Sequence, residues 1–261
     1  MNREKNHSTS VTLVTGGCSG IGAACVSQLL ASGHRVLVMD LPSAAASSHP
    51  EAVGFVACDV TDEKAVRASL TQIEATHGHV DGLVNSAGIL QHRLPPDALS
   101  MDEWDQVLKV DFRGTYLCCA VFGSAMVQRG HGAIVNIASI AGMRSNPLHA
   151  YAPAKAAVIS MTAGLAAEWG RTGVRVNAVS PGYTRTQALQ AAIDRGDRDP
   201  TDLMSQAAMG RLVEPHEVAA AVDFLLSPAA SAITGANLPV DAGWLAGSTW
   251  QTYGGVPPAK G

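Results

Sequence analysis

Short apolar runs rich in β-branched residues, at 11–15, 35–39, 53–57, 82–85, 133–138 and 174–179, alternate with longer stretches whose apolar residues recur every three to four positions. The short runs are apolar at successive positions, as strands are when helices cover both faces of their sheet. The longer stretches, 20–31, 62–76, 101–128, 150–169 and 215–226, read as helices, the last opened by Pro215, a residue suited to a first helical turn. Strands alternating with helices build βαβ units. The pattern predicts an α/β fold: a doubly wound, mostly parallel sheet of about seven strands with helices on both faces. Residues 42–50 read as a loop between units. Residues 186–212 read as an insertion that mixes Ala, Leu and Met with Asp194, Arg195, Asp197, Arg198 and Asp199, a composition suited to a lid with an apolar inner side. No linker divides 11–261, so one domain is expected, preceded by a short mobile tail at 1–10.

Composition narrows what such a sheet can serve. The chain has 261 residues, 47% of them hydrophobic, enough for a substantial core. Its formal net charge is −4 and its basic residues are scattered, which leaves no electrostatic footprint for nucleic acid or an anionic membrane surface. A small-molecule partner is expected instead. No apolar run is long enough to span a bilayer and residues 1–10 lack the apolar stretch of a secretory signal, so the expected compartment is the cytoplasm. The five cysteines, Cys18, Cys25, Cys58, Cys118 and Cys119, include no C-x-x-C pair, and their odd number suits reduced thiols better than a disulfide framework. The nine histidines are dispersed without metal-ligand spacing.

The first run passes directly into Thr15-Gly16-Gly17-Cys18-Ser19-Gly20-Ile21-Gly22, a glycine-rich turn from strand to helix. Gly16 permits the tight turn, Gly20 lets backbone approach a pyrophosphate, and Gly22 allows close packing of the helix, whose N-terminus faces the phosphates. Cys18, Ser19 and Ile21 share this turn and join the candidate cofactor contacts. The second run leads into Asp40 and Leu41, at the spacing where a carboxylate accepts hydrogen bonds from both hydroxyls of an adenosine ribose. Asp40 would also repel a 2′-phosphate, and neither the turn nor the two residues after Asp40 supply an Arg or Lys to neutralise one. A Rossmann-type domain that takes NAD rather than NADP follows. The plainer alternatives are a glycine turn without a ligand and an aspartate that only ends a strand.

Further motifs appear in order: Cys58-Asp59-Val60, Asn85-Ser86-Ala87-Gly88, Ser139, Tyr151-Ala152-Pro153-Ala154-Lys155, and Ser180-Pro181-Gly182 followed by Thr186. With the glycine turn they resemble the short-chain dehydrogenase/reductase family in its single-domain form, over nearly the whole chain after residue 10. The resemblance implies that Asp59 and Val60 flank the adenine, that Asn85, Ala87 and Gly88 line the cofactor cleft, and that Pro181, Gly182, Thr184 and Thr186 hold the nicotinamide end. It implies a catalytic set of Ser139, Tyr151 and Lys155, with Lys155 also bonding the nicotinamide ribose, and a homotetramer.

The chemistry of these side chains agrees with those roles. Tyr151 and Lys155 lie four apart, on one face of the predicted helix. A phenol is a poor base at neutral pH, but a neighbouring ammonium and a cationic nicotinamide both favour the phenolate. Tyr151 could then take a proton from an alcohol as hydride leaves, or return it to a carbonyl. Ser139, at the end of a strand, would hold the substrate oxygen. Its separation from Tyr151 is about one residue shorter than the family pattern, so the loop 143–149 is expected to be tight. One position departs from the family. Asp111, seven residues after Trp104, stands where an Asn usually supports a water-mediated proton relay from the lysine. A carboxylate lacks the amide's donors and would hold Lys155 charged. The relay is expected to persist with altered pH dependence.

The substrate wall is expected from the loop after Ser139, from residues 91–93 and from the insertion after Thr186, with His92, His149 and Tyr183 as candidate contacts to substrate polar groups. These favour a sugar, polyol or hydroxy-ketone, interconverted as secondary alcohol and ketone. A 3-oxoacyl-type reductase is the weaker alternative, because that role usually goes with NADPH, which Asp40 disfavours. A Rossmann domain that senses NAD without turnover is the other. The aromatic tail with Trp244, Trp250 and Tyr253 is expected to pack near a subunit boundary.

Overall fold

All seven strands of the computed structural model, which describes residues 10–257, run parallel in one sheet of order β3-β2-β1-β4-β5-β6-β7. They are β1 (Ser10–Thr15), β2 (Val36–Asp40), β3 (Gly54–Ala57), β4 (His79–Asn85), β5 (Gly132–Ile137), β6 (Val174–Pro181) and β7 (Asn237–Val240). Helices α1 (Gly20–Ala31), α2 (Glu63–Thr76), α3 (Met101–Val107), α4 (Thr115–Cys118), α5 (Ser124–Arg129), α6 (Tyr151–Trp169), α7 (Gln187–Asp194), α8 (Pro200–Met204), α9 (Pro215–Leu226) and α10 (Trp244–Gly247) complete the order.

The continuous apolar runs have a direct cause in this sheet. Leu13, Leu37, Leu83 and Ile134 bury on one face with Phe122 and Met126, while their neighbours Val14, Val38, Val84 and Val135 bury on the other with Val26, Leu29, Val218 and Val222. Successive side chains point to opposite faces of a strand, so a sheet covered on both sides needs an apolar residue at every position. The chain winds from β1 toward β3 on one side and from β4 toward β7 on the other. The switch between β1 and β4 brings Thr15 level with Asn85, and Asn85 level with Asn136. A crevice outside the carboxyl ends of the strands at such a point is where open α/β sheets bind ligands.

Three features differ from the sequence expectation. The helix expected over 101–128 is interrupted by π-helical segments at Leu108–Gly114 and Cys119–Gly123. The edge strand β7 has no matching apolar run in the sequence, because it is short, partly exposed and carries Pro239, which cannot donate to a ladder. The insertion, for which the sequence predicts no helix, folds into α7 and α8. The tail expected over 1–10 lies outside the described residues except for Ser10, which opens β1. Among the described residues no helix is long and apolar enough to cross a membrane.

Candidate active site

A cleft of about 900 Å³ opens at the carboxyl ends of the strands. At one end lies the glycine turn. Gly16 has a φ of +64°, and a side chain at Gly22 would strike the carbonyl oxygen of Gly16, so the first turn of α1 folds back on the loop that starts it. Ser19, the N-cap of α1, makes no side-chain capping bond, which leaves the helix N-terminus open to an anion. Thr15 Oγ1 accepts hydrogen bonds from the N–H groups of Ser86 and Ala87, tying β1 to the chain leaving β4. Asp40 stands at the cleft edge, its two oxygens accepting from the N–H of Cys18 at 3.0 Å and of Leu41 at 2.8 Å. Burial and this carboxylate push the Cys18 thiol up to about 11, so it is a poor nucleophile. An uncapped helix end, a tight glycine turn and a fixed carboxylate form a donor and acceptor set that fits a dinucleotide.

Gly16, Ser19, Gly20, Ile21, Gly22, Asp40, Leu41, Asp59, Val60, Ala87 and Gly88 line the end of the cleft around the glycine turn. Ser139, Tyr151, Lys155, Asp111, Pro181, Gly182, Tyr183, Thr184 and Thr186 line the rest. Four candidates do not line it. Cys18 contributes its N–H to Asp40 instead. Asn85 turns its amide away to Asn136 Oδ1 at 2.8 Å, a buried link between neighbouring strands. His92 points outward, its side chain 83% exposed, with Nδ1 3.0 Å from Glu103 Oε1. His149 is exposed over a shallow depression that adjoins the cleft beside the start of α6. The expectation that both histidines reach the cleft is therefore corrected: each sits on a loop beside the cleft, is exposed to solvent and does not line it. Conversely, Trp244, expected near a subunit boundary, lines the cleft and meets Tyr183 edge to face at 5.8 Å between ring centroids.

At the far end the catalytic candidates converge. Ser139 follows β5, and its Oγ accepts from the Ala141 N–H at 3.1 Å, fixing the turn beyond it. A Cβ on Gly142 would lie 2.6 Å from Ala156 N, so only glycine lets this turn press on the backbone of α6. The loop 143–149 is tight, as expected: Asn146 Nδ2 donates to the carbonyls of Ala141 and Arg144, and Asn146 Oδ1 accepts from Leu148 N. Tyr151 opens α6 and Lys155 lies one turn on, its ammonium 5.5 Å from the Tyr151 ring centroid. Lys155 is buried and its Nζ donates to the Ile137 carbonyl at 3.1 Å. Asp111, in the first π-helical segment and fully buried, accepts from Ile89 N at 2.8 Å, and its Oδ2 lies 3.1 Å from Lys155 Nζ.

The electrostatics of this corner are coupled. Burial opposes the Lys155 charge, but Asp111 and Tyr151 outweigh it and hold the ammonium's pKa above its ordinary value. Burial also pushes the Tyr151 phenol above its ordinary value; Lys155 and a hydrogen bond with Ser139 pull it down, and Asp111 pushes it up. The lowering expected from Lys155 is thus present and outweighed.

Sequence reasoning assigned Gln91 to the substrate wall, and the structure gives it a different task. Helix α6 has no side-chain cap from its own N-cap, Ala150; instead Gln91 Oε1 accepts from Ala150 N at 2.6 Å and Tyr151 N at 3.2 Å. Gln91 is buried and its Nε2 has no partner, so the acceptor alone holds it there. Gln91→Ala is expected to cost about 0.5–2 kcal/mol of stability, as loss of a cap does, and to lower turnover by loosening Tyr151. Gln91→Glu retains the acceptor and is expected to retain turnover. Urea melts and initial rates of the two variants check this; equal losses in both would remove the capping role.

The fold and this corner define a dinucleotide-dependent oxidoreductase. A family model described as enoyl-(acyl carrier protein) reductase matches residues 16–245. A 2,5-dichloro-2,5-cyclohexadiene-1,4-diol dehydrogenase of Sphingobium indicum is 42% identical over 240 residues, covering 90% of this chain and 96% of that one. A D-threitol dehydrogenase of Mycolicibacterium smegmatis is 40% identical over 244 residues, covering 90% and 92%. A solved structure described as ribose-5-phosphate isomerase from Brucella melitensis 16M is 50% identical, covers 96% of this chain and 98% of that one, and has a TM-score of 0.92. The chain belongs to the short-chain dehydrogenase/reductase family, whose members bind a nicotinamide cofactor.

Proposed function

We propose that the chain is an NAD-dependent dehydrogenase that interconverts a secondary alcohol, of the polyol, sugar or hydroxy-ketone type, with its ketone, and that Tyr151 is its acid/base. The observation that carries this is the meeting of Tyr151, Lys155 and Ser139 at one end of a cleft whose other end holds the glycine turn and Asp40. When bound, the nicotinamide ring supplies the hydride acceptor or donor. Ser139 Oγ holds the substrate oxygen, Tyr151 takes its proton in oxidation or returns it in reduction, and the Lys155 ammonium favours the phenolate. Asp59 and Val60 flank the adenine, and Pro181, Gly182, Thr184 and Thr186 hold the nicotinamide end. Asp40 supports NAD, since its carboxylate suits ribose hydroxyls and opposes a 2′-phosphate. Relatives named for a cyclic diol and a four-carbon polyol support the substrate class.

Turnover of a panel of polyols, sugars and simple secondary alcohols with NAD, with NADP in parallel, tests this; activity with NADP alone would overturn the cofactor assignment. The name borne by the 50% identical structure favours a second reading, aldose–ketose isomerisation of ribose 5-phosphate without net redox. Ribose 5-phosphate incubated without added cofactor separates the two. A cytoplasmic homotetramer belongs to the same proposal. Its support is the exposed face of α6, where Pro153, Ala163, Gly164 and Ala167 offer a small-residue, apolar surface for self-association. Light scattering would read its mass as four times 26.9 kDa.

A further inference from the structure

We propose that the substrate carries an anionic group, a carboxylate or a phosphate ester, received by Arg144 together with Arg93 and Arg198. This rests on the dehydrogenase reading above. The three arginines come from separate segments, those that follow Gly88, Ser139 and Thr186, and all three line the cleft. Among the described residues neither Arg93 nor Arg198 has a hydrogen bond or ion pair, and the Arg144 guanidinium meets only the Met143 carbonyl, at 3.2 Å. A fourth cleft arginine, Arg195, is already matched by Asp197 at 2.9 Å.

The carboxylates that line the same cleft are engaged elsewhere. Asp40 accepts from Cys18 and Leu41, Asp59 from the N–H of Thr61, and Asp111 from Ile89 with Lys155 beside it. A chain of net charge −4 therefore gathers unpaired guanidinium groups along one concavity. Arginine's planar fork matches carboxylate and phosphate oxygens two at a time. Arg144 is also presented by a braced loop, since Asn146 donates to the carbonyls of Ala141 and of Arg144 itself. Little ordering of that backbone is left for a ligand to impose. The loop joins Ser139 to Tyr151, so an anion held there fixes the distance from the charged end of a substrate to the carbon that reacts.

Matched substrate pairs test the proposal: a polyol against the aldonate of the same carbon number, and a polyol against its terminal phosphate, each with NAD. The expected kcat/KM favours the anionic member about tenfold or more, the order of one charge-assisted contact. The ratio falls toward one in Arg144→Ala, further in the double variant Arg144→Ala/Arg198→Ala, and with added salt in the wild type. The aldonate and phosphate arms tell which anion is meant. The Tm of the NADH complex, measured with the same ligands, reads the site without turnover; the anionic ligands should raise it in the wild type and not in the double variant. Equal use of neutral and anionic members, a ratio unmoved by the double variant, or a rise confined to the KM for NAD would overturn the anion site and leave the dehydrogenase standing. Absence of turnover with anion-dependent, arginine-dependent stabilisation would keep the site and remove the dehydrogenase reading. Absence of both removes both.

Discussion

Tyr151→Phe is expected to lower kcat by about 10²- to 10⁴-fold, the usual contribution of a positioned acid/base, while leaving NADH binding nearly intact. The substitution removes one hydroxyl and keeps the ring, so the packing at the start of α6 and the place of Lys155 beside that ring should persist. Initial rates and a titration of NADH fluorescence make the two measurements. A variant within a few-fold of wild type would move the proton transfer to another group. If the wild type binds NADH but turns over nothing, the non-catalytic sensor is favoured. The wild-type pH dependence has a defined sign. Burial holds the phenol above its ordinary pKa even with Lys155 and Ser139 pulling down. Alcohol oxidation needs the phenolate, so its rate should climb through the alkaline range; carbonyl reduction needs the phenol and should fall over the same range.

What the sequence made legible follows from what is local. Strand and helix periods, the glycine turn and the Tyr151–Lys155 spacing are each set within a few residues, and the sheet reproduces them with boundaries shifted by a few positions at most. The end of the cleft at the glycine turn was readable for the same reason, because residues close together in the chain gather there. Long-range pairing was not readable. Gln91 caps a helix sixty residues away, and no feature around Gln91 signals that its amide turns inward. His92 and His149 illustrate the converse, since a loop's place beside a site does not fix which way a ring points. The π-helical segment at Leu108–Gly114 was hidden because its apolar spacing still reads as a helix, yet it carries Asp111 into the core. Single-turn departures of this kind gather at functional sites.

Asp111→Ala should destabilise the fold by about 3–5 kcal/mol, the cost of leaving one member of a buried ion pair without its partner. The side chains of Lys155 and Asp111 are 6% and 0% exposed, so the substitution leaves a buried ammonium without its counter-charge, and Ile89 N loses its acceptor as well. The pair stabilises over a wide pH range. Lys155 has a folded pKa above its ordinary value, so its contribution is full below the unfolded value and is lost only as pH rises through the higher, folded one. Urea melts at neutral pH and at strongly alkaline pH should therefore show the difference between wild type and Asp111→Ala shrinking at the alkaline end. Asp111→Asn separates structure from chemistry, because it keeps the volume and one acceptor. With the carboxylate charge gone, the direct push of Asp111 on the phenol is lost, while burial still opposes the phenolate and Lys155 still favours it. That loss lowers the Tyr151 pKa, so the rising limb of the oxidation profile should move to lower pH while the fold persists. An unmoved limb in a folded Asp111→Asn enzyme would mean that the carboxylate only anchors Lys155 in the core; a limb moved toward acid would mean that it sets the pH at which this enzyme oxidises its alcohol.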